Sequence, residues 1–347
     1  MTIHRETLDP ERERSASLTT WAAANKYVGP ESFDAEGFKR FRVTNPVDRM
    51  GLYLFECANG DIYIGIAKDA AQRLRTHRNK HPDAVKFWFR ADPRSDGERR
   101  IVERQLVRDA QRFGLVVRNR EHASGHTGVS TLDALLTPNE QESWLENPVV
   151  ANAGDKTDLV DLGASKLAAH AGDFAKLSKH PRYEEIIHIL GDYAAQCIPL
   201  ARRTEATFWT VSCYPSWNRQ RVFCVSMAGQ EVFFIVSSDW NSKLRAMLFV
   251  DGRELHQGVI GRLRMLAQKT FPKRGGHKSG GAFEQALYFR DIRDLKKALK
   301  SPYLRRSIAK FNLDLMRKRQ SAYKISHCRQ LAEAALTSSR TSSAHGR

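Results

Sequence analysis

The sequence predicts an α+β protein in two parts. A small mixed α/β domain, a three-stranded antiparallel sheet flanked by helices, comes first, and a separate basic α+β domain follows. Three observations carry this reading. Apolar runs at 50–57 and 61–66 flank Ala58-Asn59-Gly60-Asp61, and Asn-Gly between two apolar runs is a strong hairpin signal. A second set of β-rich runs, 206–212, 221–227 and 231–237, precedes long helical runs, the pattern of an independent α+β unit. Charge is also uneven: residues 1–150 hold 23 Lys+Arg against 22 Asp+Glu, whereas 253–329 hold 20 against 5.

Taken in order, residues 1–46 read as an N-terminal arm. Residues 1–20 are polar and expected to fray, and 20–45, with Trp21, Tyr27, Phe33, Phe38 and Phe41, are expected to form a short helical arm. After the hairpin come a helix at 69–79, a third strand at 84–90 and a helix at 98–112 stopped by Gly114, a natural C-cap. A short strand at 115–118 closes this domain, 47–122. Residues 123–195 read as a helical connector with an acidic linker at 152–161 and helices from 137 and at 182–197; Pro138 suits a first turn. Residues 196–335 form the basic domain. Its strands include a further one at 244–250, Ala228-Gly229 makes a hairpin turn, and helices follow at 256–269, 282–299 and 302–334. Residues 336–347 read as a disordered tail.

Within the first domain, Gly51-Leu52-Tyr53 and Tyr63-Ile64-Gly65 place a tyrosine on each hairpin strand. Arg73 and His77 stand one helical turn apart on one face of the next helix, and Glu103 lies in the helix after that. This ordered set resembles the GIY-YIG nuclease family, over about residues 47–122. Leu52 stands where the first signature has isoleucine, and Ile66 where some members carry a lysine. The resemblance implies a phosphodiester-cleaving site. Its catalytic residues would be Tyr53, Tyr63, Arg73, His77 and Glu103, with Glu103 binding Mg²⁺ or Mn²⁺. Arg73 would clamp a phosphate oxygen through its planar fork of donors, His77 would relay a proton or donate to phosphate, and one of the two tyrosines would act as general base or orient the attacking water. Gly51 and Gly65 are expected to allow close backbone approach. Asn119 is a candidate for phosphate or local backbone contact.

The basic second domain is the expected footprint of a polyanion-binding surface. Arg75, Asn119, Lys273, Arg274, Lys278, Lys296, Lys297, Arg305, Arg306, Arg317 and Lys318 are the candidate nucleic-acid contacts. The helical run at 302–334 is the favoured tracking surface, and 273–281 reads as a flexible basic loop. Trp209, Trp217 and Trp240 read as core, with base stacking as the alternative. DNA is preferred over RNA as substrate because most of the family acts on DNA. A nucleic-acid-binding protein without turnover, an RNA-directed nuclease and an interaction module for an acidic protein are the rival readings. Restriction, mobile-element, repair and phage-defence roles all stay open.

Other classes are disfavoured. No apolar run reaches about 18 residues, so no membrane-spanning helix is expected, and residues 1–6 lack an apolar signal core. Five scattered cysteines without a Cys-x-x-Cys pair indicate neither a zinc site nor a disulfide framework, which suits a reducing cytoplasm.

Overall fold

The computed structural model describes residues 10–46, 49–126, 128–215, 220–237, 243–255 and 271–344, with side chains not described for 10–15, 271–274 and 339–344. The chain divides into two compact units, Met1–Ala123 and Ser124–Arg347.

The first unit is a four-stranded antiparallel sheet with helices on both faces. Its elements are α1 (Pro10–Ala24), β1 (Val28–Ser32), α2 (Ala35–Thr44), β2 (Gly51–Cys57), β3 (Ile62–Ala67), α3 (Ala70–Lys80), β4 (Ala84–Ala91) and α4 (Asp96–Arg112). The sheet order is β1-β4-β2-β3. The β2–β3 hairpin forms where Asn-Gly was expected to turn the chain. Gly60 takes φ +80 there, a conformation glycine adopts without the Cβ penalty. Arg118 fastens the turn from outside, bonding Asp61, Asp83 and Asn59.

The expectation of three strands is corrected to four. The fourth, β1, lies in the stretch read as a helical arm and pairs with β4, Glu31 opposite Phe87. Phe33, Phe38 and Phe41 then pack on Phe87 and Phe89. The aromatics of this stretch are therefore core of the sheet, not an arm laid over it. The expected strand at 115–118 shrinks to a single parallel bridge, Val117 to Ile62.

Helix caps follow local chemistry. Asp69 caps α3 by accepting from Gln72 N, and Ser95 with Glu98 forms a capping box on α4. α4 buries Glu103, Leu106, Val107 and Ala110, spaced as one helix face. Its apolar members join Leu52, Leu54, Ile62 and Ile64 in one core layer, while Tyr53, Phe55, Leu74 and Phe87 form the layer on the opposite face.

The second unit is built on a six-stranded antiparallel sheet of β5 (Trp209–Cys213), β6 (Arg221–Met227), β7 (Gln230–Val236), β8 (Arg245–Asp251), β9 (Phe271–Arg274) and β10 (Glu284–Phe289), in the order β5-β6-β7-β8-β10-β9. Ala228 and Gly229 make the β6–β7 turn as expected, Met227 pairing with Gln230. Leu132, Leu136, Trp144 and Leu177 belong to this unit's core, so much of the stretch read as a connector is structural.

Several helical expectations fail here. The run at 282–299 is β10 followed by a helix, Ile292–Ala298. Strand pairing with β8, Leu287 opposite Leu248, overrides helix propensity at its start. The run at 302–334 is two helices, Pro302–Lys318 and Arg329–Ala344, and the second extends into the stretch read as a disordered tail. The loop read as flexible begins in β9. Beyond it, the Glu284 carboxylate accepts from His277 N and from the His277 ring, and Ser124 Oγ accepts from Ala282 N. The expected helix at 256–269 lies outside the described residues. Among the described residues, no helix is long and apolar enough to cross a membrane.

Candidate active site

The hairpin and α3 bring Tyr53, Tyr63, Arg73 and His77 together, and the charge of Glu103 on α4 bears on the first three. Tyr53 on β2 stands in register with Gly65 on β3. A Cβ built on Gly65 would lie 2.3 Å from the Tyr53 hydroxyl oxygen and 2.4 Å from its ring. Gly65 is thus the empty space that the Tyr53 side chain occupies. Gly51 does the work expected of both: its Cβ would meet the Arg90 carbonyl at 2.1 Å, so backbone approaches backbone there.

The Tyr53 hydroxyl and His77 Nε2 are 2.8 Å apart and buried. The Tyr63 ring stacks on Tyr53 with centroids at 6.2 Å and lies 4.9 Å from the His77 ring. Burial holds the His77 pKa down to about 4, with Arg73, His81 and Lys80 adding to the effect. The imidazole is therefore neutral near pH 7 and able to accept a hydrogen bond at Nε2. Burial raises the Tyr53 and Tyr63 hydroxyls above the usual range, and Arg73 partly offsets the rise in both. Arg73 itself is exposed, its fork next to the Tyr53 hydroxyl, which strengthens its hold on its proton.

Glu103 is the carboxylate of this constellation. It is buried, and burial first, then the nearby Glu121, raises its pKa to about 7 against the partial relief of Arg100 and Arg73. Its charge bears on Tyr53, Tyr63 and Arg73. Among the described residues no group of three or more His, Cys, Asp or Glu side chains gathers around a metal position. A single desolvated carboxylate fits Mg²⁺, which keeps most of its waters, and a bound cation would relieve the cost of ionising Glu103. Mn²⁺, as a hard, oxygen-preferring ion, fits the same donor.

Two contributors were not anticipated. His81, one turn beyond His77, packs its ring 5.7 Å from Tyr63 and 5.0 Å from Phe55; the i, i+4 spacing from His77 was the available signal. Tyr27 is buried, with Glu103 and Tyr53 among the charges that bear on its hydroxyl. Its place in a supposed arm concealed it.

Asn119 is corrected as a nucleic-acid contact. Its Oδ1 accepts from Ile64 N at 3.0 Å and its Nδ2 donates to Ile64 O at 2.6 Å, so the buried amide is spent on β3 between Tyr63 and Gly65. We expect Asn119→Ala to cost about 2–4 kcal/mol, because both backbone groups would be left unpaired in the core. Urea denaturation measures this. An unchanged midpoint would contradict the role.

The remaining cations divide sharply. Arg75 is exposed on α3, as are Lys278 and, on the helix Ile292–Ala298, Lys296 and Lys297. The helix Pro302–Lys318, expected to track a phosphate backbone, is instead core: Leu304, Ile308, Phe311, Leu315 and Met316 are buried. Lys318 is buried and donates to the Ser279 carbonyl. Arg317 bonds Gln141 and Glu142, Arg305 bonds Gln196, and Arg306, though exposed, pairs with Glu254. Intramolecular partners therefore engage Lys318, Arg317 and Arg305, and they are withdrawn as free phosphate contacts. The side chains of Lys273 and Arg274 lie outside the described residues, as do Trp217 and Trp240. Trp209 is core, its indole donating to the Ala201 carbonyl.

The ordered tyrosines, arginine and histidine coincide with a known pattern: residues 49–93 match the family model of the GIY-YIG catalytic domain. Residues 49–93 are similar to a GIY-YIG catalytic domain. The match points to a nuclease in general, and GIY-YIG nucleases are generally divalent-metal dependent. It spans Tyr53, Tyr63, Arg73 and His77 and stops short of Glu103. No curated protein and no solved structure matches the chain.

Proposed function

We propose that the protein is a divalent-metal-dependent endonuclease that hydrolyses phosphodiester bonds in DNA, with Tyr53, Tyr63, Arg73, His77 and Glu103 as its site. The observation that carries this reading is the buried Tyr53–His77 pair with Arg73 beside it. His77 Nε2 accepts the hydrogen bond of the Tyr53 hydroxyl and so fixes the direction in which that oxygen faces the attacking water. Tyr53 thereby positions the water, and Arg73, which offsets part of the rise in its proton affinity, is the group that favours its ionised form where some members carry a lysine. Arg73 offsets charge on a non-bridging phosphoryl oxygen. Tyr63, stacked on Tyr53, fixes the ring that carries this hydroxyl. Glu103 is the residue that would hold Mg²⁺ or Mn²⁺, which when bound acidifies water and stabilises the leaving oxygen.

Exposed Lys278, Lys296 and Lys297 of the basic unit supply sequence-independent affinity for the phosphate backbone. Charge reversal of Lys296 and Lys297 together should weaken DNA binding and flatten its salt dependence by about two counterions. An unchanged slope, measured by fluorescence anisotropy across salt concentrations, removes them from the interface.

The direct test presents double-stranded DNA, single-stranded DNA and RNA with Mg²⁺ to the wild type and to Arg73→Ala. We expect DNA cleavage by the wild type and a loss of about 10²–10³-fold in the variant. Cleavage of RNA alone would overturn the substrate. Tight binding with no cleavage of any substrate would leave a binding protein.

A further inference from the structure

Cys213 and Cys328 are far apart in sequence, yet their sulfurs lie 3.5 Å apart. Cys213 closes strand β5, and Cys328 immediately precedes the helix Arg329–Ala344. Both are buried. Their thiols are unlike. Cys213 S–H donates to Cys328 Sγ, and this bond, with the Leu331 and Gln330 backbone at the helix start, outweighs burial and moves the Cys328 thiol down. Cys213 is driven the other way, by the same bond and by burial. The two sulfurs stand in direct contact with opposite shifts, and it is their adjacency that lets one be oxidised and the other resolve it. Cys213, though not Cys328, lines a cavity of about 620 Å³ with His170, Asp173, Ser212 and Tyr214 among its walls, so a small oxidant approaches the pair from the Cys213 side.

We propose that Cys213 and Cys328 form a reversible intramolecular disulfide when the protein meets a peroxide. The Cys328 thiolate attacks one oxygen of hydrogen peroxide and the O–O bond breaks. With one proton taken up, this leaves a sulfenic acid on Cys328 and one water. The Cys213 sulfur then attacks the Cys328 sulfur, its proton leaving with the hydroxyl as a second water. Two thiols are oxidised by two electrons and the peroxide is reduced by two. The sulfurs need to close by about 1.5 Å to reach disulfide bonding distance, within the range of side-chain rotation. The product clips an edge strand of the sheet to the start of the last described helix. It constrains the denatured chain through a long loop, so the oxidised protein melts at higher temperature. None of this involves the proposed nuclease site.

The full chain is treated with stoichiometric hydrogen peroxide, alkylated under denaturing conditions and digested for mass spectrometry, before and after a dithiol reductant. The expected result is loss of two of the five titratable thiols, a linked Cys213–Cys328 peptide, and recovery of both thiols on reduction. A melting temperature raised by several degrees should accompany it and vanish in Cys328→Ser but not in Cys224→Ser. Five free thiols after treatment, oxidation of Cys328 that stops at the sulfinic acid, or a linkage through Cys57, Cys197 or Cys224 would overturn the proposal. The wild-type peptide map decides it even if a serine variant does not fold.

Discussion

Gly65→Ala should abolish cleavage while leaving every ionisable group of the site in the sequence. The added Cβ would sit 2.3 Å from the Tyr53 hydroxyl, and Tyr53 is 1% exposed, with no room to swing aside. The ring must shift, which breaks its 2.8 Å contact with His77 and its stacking on Tyr63. Misplacing a catalytic group by an ångström costs about 10²-fold or more in rate, and overpacking costs about 1–3 kcal/mol of stability. Tyr53→Phe is the companion variant. It removes the hydroxyl and keeps the packing, so it should lose activity with a stability loss of about 1–3 kcal/mol from the unpaired His77 Nε2. Full activity in Gly65→Ala, measured as single-turnover DNA cleavage, would show that Tyr53 does not act from this position.

Glu103→Gln is expected to lose cleavage and gain stability, with the gain confined to neutral and alkaline pH. The Glu103 pKa is raised from 4.5 to about 7 in the folded protein. Its contribution to stability is therefore fully present below about pH 4.5 and is lost as pH rises through about 7. Glutamine never ionises and loses nothing. The variant should match the wild type near pH 4 and exceed it at pH 8 by about 3 kcal/mol at most, since each tenfold change in proton affinity is worth about 1.4 kcal/mol. Mg²⁺ should raise wild-type stability at pH 8 and leave the variant unmoved, because binding only to the folded state stabilises it. Guanidinium denaturation at both pH values, with and without Mg²⁺, tests the pair. A stability difference independent of pH would mean that Glu103 is not desolvated. A Mg²⁺ response retained in the variant would place the metal elsewhere.

These two effects differ in how far the sequence disclosed them. The hairpin was legible because Asn59-Gly60 and the flanking apolar runs are local signals, complete within a few residues. The pairing of Tyr53 with Gly65 follows from that hairpin's register, so a glycine opposite a tyrosine was implicit in the opening motif. The Arg73–His77 face is likewise a consequence of helical period. Glu103 is different. It shares α4 with Glu98, Arg99, Arg100, Arg104 and Arg108, and helical period alone does not say which face the sheet covers.

The failures have one cause. The stretch 28–32 contains Gly29 and Pro30, which are poor strand formers, and only β4 waiting at the sheet edge makes it β1. The helix Pro302–Lys318 has abundant basic residues, which composition reads as a solvated face. Packing buries its lengthwise body and hands Arg317 and Lys318 to partners remote in sequence. Asn119 reads as a loop residue until Ile64 is found beside it.

By itself, then, the sequence determined the β2–β3 hairpin, the order Tyr53, Tyr63, Arg73 and His77, the capped helices that carry them, and the asymmetry of charge. Each is a property of neighbouring residues or of composition. Tertiary structure alone decided that Glu103 loses its water, that His77 stays neutral, that Asn119 serves the strand, and that Cys213 meets Cys328. Desolvation and long-range pairing depend on which surfaces the closed chain covers, and no window of sequence contains both sides of such a contact.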